Sequence, residues 1–211
     1  MNKAFSSEKT RKVLQNTVRR RGLYGLQGKM TKKLVSCALC AAIIGVLAPI
    51  SIPIEPVPIS LATFAVLFSA FFLGGKWGTA AVGIYLLLGA VGVPVFAGFT
   101  GGFEKIVGPT GGYLVGYLPL ALISGGLYAL WGKKQTGVKR FLLMMLAAVL
   151  GTAVLYALGT AWFCHVMKRT VWEALALCVI PFLPGDIIKA AAAAILAPTV
   201  AKAVDRAERQ R

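Results

Sequence analysis

The chain has 211 residues, 57% of them hydrophobic and 14% charged, with a mean hydropathy of +0.75. Those values lie outside the range of an ordinary soluble domain and define a polytopic membrane protein. The formal net charge of +16 does not describe a nucleic-acid binder, because the basic residues sit between hydrophobic segments rather than on an amphipathic face with interleaved aromatics.

Residues 1–33 form a basic, polar arm, with ten lysines and arginines from Lys3 to Lys33 against the single acid Glu8. Such a segment reads as an Arg-rich, acid-poor targeting peptide. It reads equally as an arm held at the cytoplasmic face by anionic lipid, or as an over-long start with Met30 as the natural beginning. Residues 34–200 follow as a membrane domain, and 201–211 as a second basic tail.

Six hydrophobic segments are predicted at about 34–52, 59–73, 78–95, 112–131, 141–163 and 172–200, each judged against the ~20 residues that span a bilayer core. The basic arm, Lys76, the group Lys133, Lys134, Lys139 and Arg140, and the tail with Lys202, Arg206, Arg209 and Arg211 all fall on one side of this threading. The opposite loops carry only Lys105, Lys168 and Arg169. The positive-inside rule then predicts both termini in the cytoplasm, with loops 53–58, 96–111 and 164–171 toward the outer face.

In the first segment, Ala38, Ala42 and Gly45 share a small-residue face. It suits either a partner helix or a neighbouring span of the same chain. Cys37 and Cys40 match a metal or redox pattern in letters only, since the one histidine, His165, is remote; both are expected to pack as small hydrophobes. Pro49 to Pro58, with Pro53, Pro56 and Glu55, predicts a stiff extended connection. Ser60 and Thr63 open the second segment, where a hydroxyl caps backbone N–H groups or faces a ligand. Tyr85 is the one polar handle of the third segment, and its hydroxyl needs a partner if buried.

The stretch from Phe96 to Tyr113 is rich in glycine and phenylalanine and carries the pair Glu104-Lys105. Irregular backbone at membrane depth is tolerated where protein or a cavity surrounds it, so this stretch is expected to form a lid or pocket wall. Phe96, Phe99 and Tyr113 are candidates to cover a flat solute. None of Gly28-Lys29, Gly75-Lys76 and Gly132-Lys133 is followed by Ser or Thr, so there is no P-loop; nucleophile elbows and paired carboxylates are also missing. The sequence therefore does not describe an enzyme with its own ATPase site.

The last segment holds the strongest signal. Asp186 and Lys189 are the only acid and base between Glu173 and Val200. A charge at the centre of a membrane helix costs about 2.5–3.5 kcal/mol on insertion scales, so such a pair marks a functional site. At i, i+3 the two share one helical face. Pro184-Gly185 should break the backbone and start a fresh helix, leaving N–H groups beside the pair. Asp186 as a helix cap with an intrahelical ion pair is the competing structural reading.

Four motifs, in order, then carry a family resemblance: Val57-Pro58-Ile59-Ser60-Leu61 with Thr63-Phe64; Tyr85 to Gly98; Gly108-Pro109-Thr110-Gly111-Gly112-Tyr113-Leu114; and Pro184-Gly185-Asp186 with Lys189. Over residues 30–200 they resemble the BioY family, biotin-specific S components of energy-coupling factor (ECF) transporters. The resemblance implies an all-α integral membrane protein, a six-helix S-component-like bundle in the cell (cytoplasmic) membrane. It implies biotin as transported substrate, no cofactor or metal, and no nucleic acid. Uptake would be energised by a transmembrane coupling protein carrying two ATPases, docked on Ala38 and Ala42. The substrate-binding candidates are Asp186, Lys189, Tyr85, Phe96, Lys105, Pro109, Thr110, Gly111, Gly112, Tyr113, Ser60 and Thr63. Many members have Gln between the Leu and Thr of the first motif, where this chain has Ala62. An S component or solitary carrier for thiamin or riboflavin, and a non-transporting membrane scaffold, are the alternatives.

Overall fold

The computed structural model describes residues 30–54 and 57–210. Residues 1–29 of the basic arm, and Glu55 and Pro56 of the proline-rich connection, lie outside the described residues. The chain divides into two units, Met1–Ser36 and Cys37–Arg211. Of the first, residues 30–36 are helical and mostly exposed. The second carries the remainder of that helix and every later element.

Helix α1 (Met30–Leu47) turns Cys37, Cys40, Ala41 and Ile44 inward, the spacing of one helical face. The described part of the connection after it is extended, as its prolines predict, and its two ends pair. Strand β1 (Ser51–Ile52) pairs antiparallel with β2 (Ile59–Ser60), Ser51 opposite Ser60 and Ile52 opposite Ile59. This ribbon leads into α2 (Ala62–Leu73), and a single residue, Gly74 at φ +84°, reverses the chain into α3 (Gly75–Ala90). Phe96 and Thr100 then bridge a small hairpin before the short helix α4 (Phe103–Val107) and α5 (Gly111–Leu127), which continues through a wide turn to Gly132.

Helix α6 (Gly137–Met167) is longer than its hydrophobic segment and takes in Lys139, Arg140 and His165. The final segment is two helices, α7 (Val171–Cys178) and α8 (Leu183–Arg209). Thr170 opens α7 with a capping box, and its bonds to Glu173 hold that carboxyl below its usual range. The break falls at residues 179–182, just before the expected proline. Pro184 sits in the first turn of α8, where its missing N–H is no loss. The basic tail belongs to the same helix as far as Arg209, because alanine and long charged residues favour helix beyond the membrane domain.

Four helices, Met30–Leu47, Gly111–Gly132, Gly137–Met167 and Leu183–Arg209, are long and apolar enough among the described residues to cross a membrane. Helices α2 and α3 are shorter, at 12 and 16 residues.

Small residues let the helices approach closely. Along α5 and α6, a Cβ at Gly112 would run into Trp162 and one at Gly159 into the Tyr113 ring, while the Ser124 hydroxyl donates to the Ala147 carbonyl at 3.1 Å. Helix α8 presents Ala190, Ala193, Ala194 and Ala197 as its buried face.

Candidate functional site

The start of α2, the end of α3, the start of α5, the second half of α6 and the start of α8 meet at one end of the bundle. They enclose two adjoining cavities. The basic clusters at Lys76, at Lys133 to Arg140 and at Lys202 to Arg209 lie at the opposite helix ends.

The larger cavity has a volume of about 450 Å3, within the ~300–1,000 Å3 typical of small-molecule sites. The ribbon and α2 supply Val57, Pro58, Ser60 and Ala62, and α5 supplies Leu114 and Tyr117. Tyr85 of α3 lies on another wall, its ring edge-on to Phe96 at 5.6 Å and 79°. Phe96 is seated by two features: its N–H donates to the Thr100 carbonyl at 2.8 Å, and its ring fills the space that a side chain at Gly89 would need. Ala97, Thr100, Glu104, Lys105, Gly108, Pro109 and Thr110 complete the lining. The glycine- and phenylalanine-rich stretch is thus a pocket wall. The Trp162 indole N–H pins it by donating to the Gly108 carbonyl at 2.9 Å.

The smaller cavity, about 40 Å3, shares Val57, Pro58, Ser60 and Tyr117 with the larger and extends it toward α6 and α8. Its lining is unusually rich in hydroxyls for a membrane interior: Ser60, Thr63, Tyr113, Tyr117 and Tyr156 surround Asp186 and Lys189. Lys189 Nζ donates to Asp186 Oδ1 at 2.9 Å, and the two side chains are only 11% and 8% exposed. Tyr156 Oη, from α6, donates to the other oxygen, Oδ2, at 2.6 Å. A desolvated carboxylate is tolerable only with such partners.

Asp186 therefore is not a helix cap. The intrahelical ion pair of the structural reading forms, but a second helix also contributes a donor. The N–H groups expected to stand free at this helix start are largely taken: Leu183 donates to Val179 and Asp186 to Phe182. Pro184 has none to offer.

Of the residues singled out from sequence, Ser60, Tyr85, Phe96, Lys105, Pro109 and Thr110 line the larger cavity, and Ser60, Thr63, Tyr113, Asp186 and Lys189 the smaller. Ser60 also accepts from the Ala62 N–H at 3.2 Å, although the residue at the cap position of α2 is Leu61, which makes no side-chain cap bond. Gly111 and Gly112 line neither; a Cβ would strike Ile106 at the first and Trp162 at the second, so they serve close packing. Phe99 points away from both cavities, 70% exposed at φ +56°, and Phe103 is 65% exposed. Ala38 and Ala42 are exposed, on the side of α1 away from its buried face, so they do not pack within the bundle. Cys37 and Cys40 are buried in the core.

Sequence reasoning missed Tyr117 and Tyr156. The signal was available: each is a phenol in an apolar span, the argument that selected Tyr85.

Apolar spanning helices around a solute-sized cavity with a buried ion pair define a helical membrane protein built to bind a small polar solute at one end. Comparison with known proteins gives the family. The BioY family model matches residues 12–206, and the chain belongs to that family. It is 40% identical over 166 residues to a biotin transporter BioY from Thermotoga maritima, covering 79% of this chain and 94% of that one. It is 39% identical over 175 residues to a biotin transporter BioY from Rhizobium etli, covering 81% and 93%. The crystal structure of an S-component for biotin from an ECF-type ABC transporter superposes with a TM-score of 0.75 at 29% identity, over 83% of this chain and 93% of that one. A second ECF S component, with a TM-score of 0.52 at 17% identity over 84% and 97%, shares the fold.

Proposed function

We propose that this chain is the biotin-binding S component of an ECF-type transporter and mediates biotin uptake across the cytoplasmic membrane. The observation that carries the reading is the Asp186 carboxylate, held by two donors, in the hydroxyl-lined cavity that adjoins the larger one. Biotin offers two ureido N–H donors and a carbonyl, an apolar thioether ring and an acid tail. Asp186 accepts from the ureido N–H, its charge held by Lys189 and Tyr156. Tyr85, Phe96 and Leu114 cover the rings, and Lys105, at the wall of the larger cavity, takes the carboxylate. Ala62 lines that wall too, so the position where many relatives carry Gln is part of the site and leaves room there.

The membrane domain crosses six times, through α1, α2, α3, α5, α6 and α8, with both termini cytoplasmic. The segregation of basic clusters to the helix ends opposite the cavities supports this orientation. The site then opens outward, as uptake requires. Energy comes from partner ATPases through a coupling protein that docks on Ala38 and Ala42, a pair whose exposure on α1 suits close helix approach. Equilibrium binding of labelled biotin by the purified chain tests the reading. Binding of thiamin or riboflavin in its place would assign another vitamin, and binding of none would favour a scaffold.

A further inference from the structure

Two concavities meet at Asp186. One is the smaller polar cavity; the other is an apolar groove of about 160 Å3 between α6 and α8, walled by Met145, Val149, Leu183 and Ile187. Tyr156 and Asp186 belong to the lining of both. The Tyr156–Asp186 hydrogen bond therefore stands between the solute side and an apolar face of the bundle.

The two partners of Asp186 differ in kind. Lys189 is three residues along the same helix, on a flexible stem that moves with the carboxylate. Tyr156 is on another helix, has a rigid ring, and reaches the opposite oxygen. Only the second bond ties the carboxylate plane to a frame independent of α8. A carboxylate offers about four lone-pair sites, so these two bonds leave acceptor capacity for a donor arriving from the cavity.

We propose that Tyr156 is a positioning residue for the solute: its hydroxyl fixes the Asp186 carboxylate plane so that the remaining lone pairs face the cavity and read the N–H donors of a ureido head group. The proposal rests on the biotin reading above. Tyr156 itself makes no bond to the solute.

The test compares biotin with a ureido-N-methylated biotin in equilibrium binding to wild type and Tyr156→Phe. The variant should bind biotin about tenfold more weakly, the scale of losing one hydrogen bond to a charged group. Discrimination against the methylated analogue should shrink by a similar factor, because that analogue never used the oriented acceptor. Equal weakening of both ligands, or no weakening, would show Tyr156 to be structural only and overturn the proposal. Should Tyr156→Phe fail to fold, a biotin-bound structure of the wild-type chain decides. Tyr156 Oη still on Asp186, with biotin N–H on the same carboxylate, supports it; Tyr156 bonded to biotin, or turned into the α6–α8 groove, overturns it. A wild-type chain that binds no biotin removes the functional reading first, and this proposal with it.

Discussion

Gly159 of α6 leaves just enough room for the ring of Tyr113 on α5, whose hydroxyl lies 3.3 Å from that of Thr160 one residue further along α6. The contact joins packing to the candidate site, because Tyr113 also lines the smaller cavity. Gly159→Val should therefore do more than loosen the bundle. Overpacking of this kind costs about 1–3 kcal/mol. Thermal unfolding in detergent should show the loss, and biotin affinity should fall with it; an unchanged melting temperature would mean that α5 and α6 pack otherwise.

The buried ion pair makes a sharper prediction about stability. Lys189→Ala removes the partner of Asp186 Oδ1 while burial persists, and breaking such a pair costs roughly 3–5 kcal/mol where no other donor remains. Tyr156 still holds Oδ2, so the loss should be smaller, nearer 2 kcal/mol. Adding Asp186→Asn should recover part of it, since a neutral amide no longer requires the cation. Denaturant unfolding of the two single variants and the double variant measures this, and strictly additive losses would deny the coupling.

Lys105 lies on the wall of the larger cavity, away from Asp186 in the lining. If it receives the acid tail, Lys105→Ala should weaken biotin about tenfold and leave biotin methyl ester unaffected. A competition assay with the two ligands reads the difference. Equal loss for both would move the tail elsewhere.

Exposed small residues on α1 make the docking prediction. Ala38→Trp with Ala42→Trp should spare biotin binding but block energised uptake in vesicles containing the coupling protein and its ATPases. Normal uptake would place the docking face elsewhere.

Asp186 and Lys189 were legible in the sequence because a charge within an apolar run needs a reason to be there. The pocket wall between Phe96 and Thr110 was legible because glycine and proline exclude a regular span at that point. Tyr156 carried the same signal as Tyr85, a phenol in an apolar span, but its role was hidden because the partner lies 30 residues away on another helix. Phe99 was expected over the solute, yet the left-handed backbone of its hairpin turns it outward, a direction that composition does not encode. Gly111 and Gly112 shared a motif with cavity residues, but the neighbours that explain them are Ile106 of α4 for the first and Trp162 of α6 for the second. Helices α6 and α8 run past their hydrophobic segments for a common reason: hydropathy marks where a helix is apolar, and helix propensity carries it further.

The most direct measurement is biotin binding by the detergent-solubilised chain, wild type against Asp186→Asn, with folding checked by size exclusion and thermal unfolding. Tight binding by the wild-type chain and its loss in a folded Asp186→Asn variant is the predicted result. Wild-type affinity in that folded variant would contradict the placement of biotin at the Asp186 carboxylate.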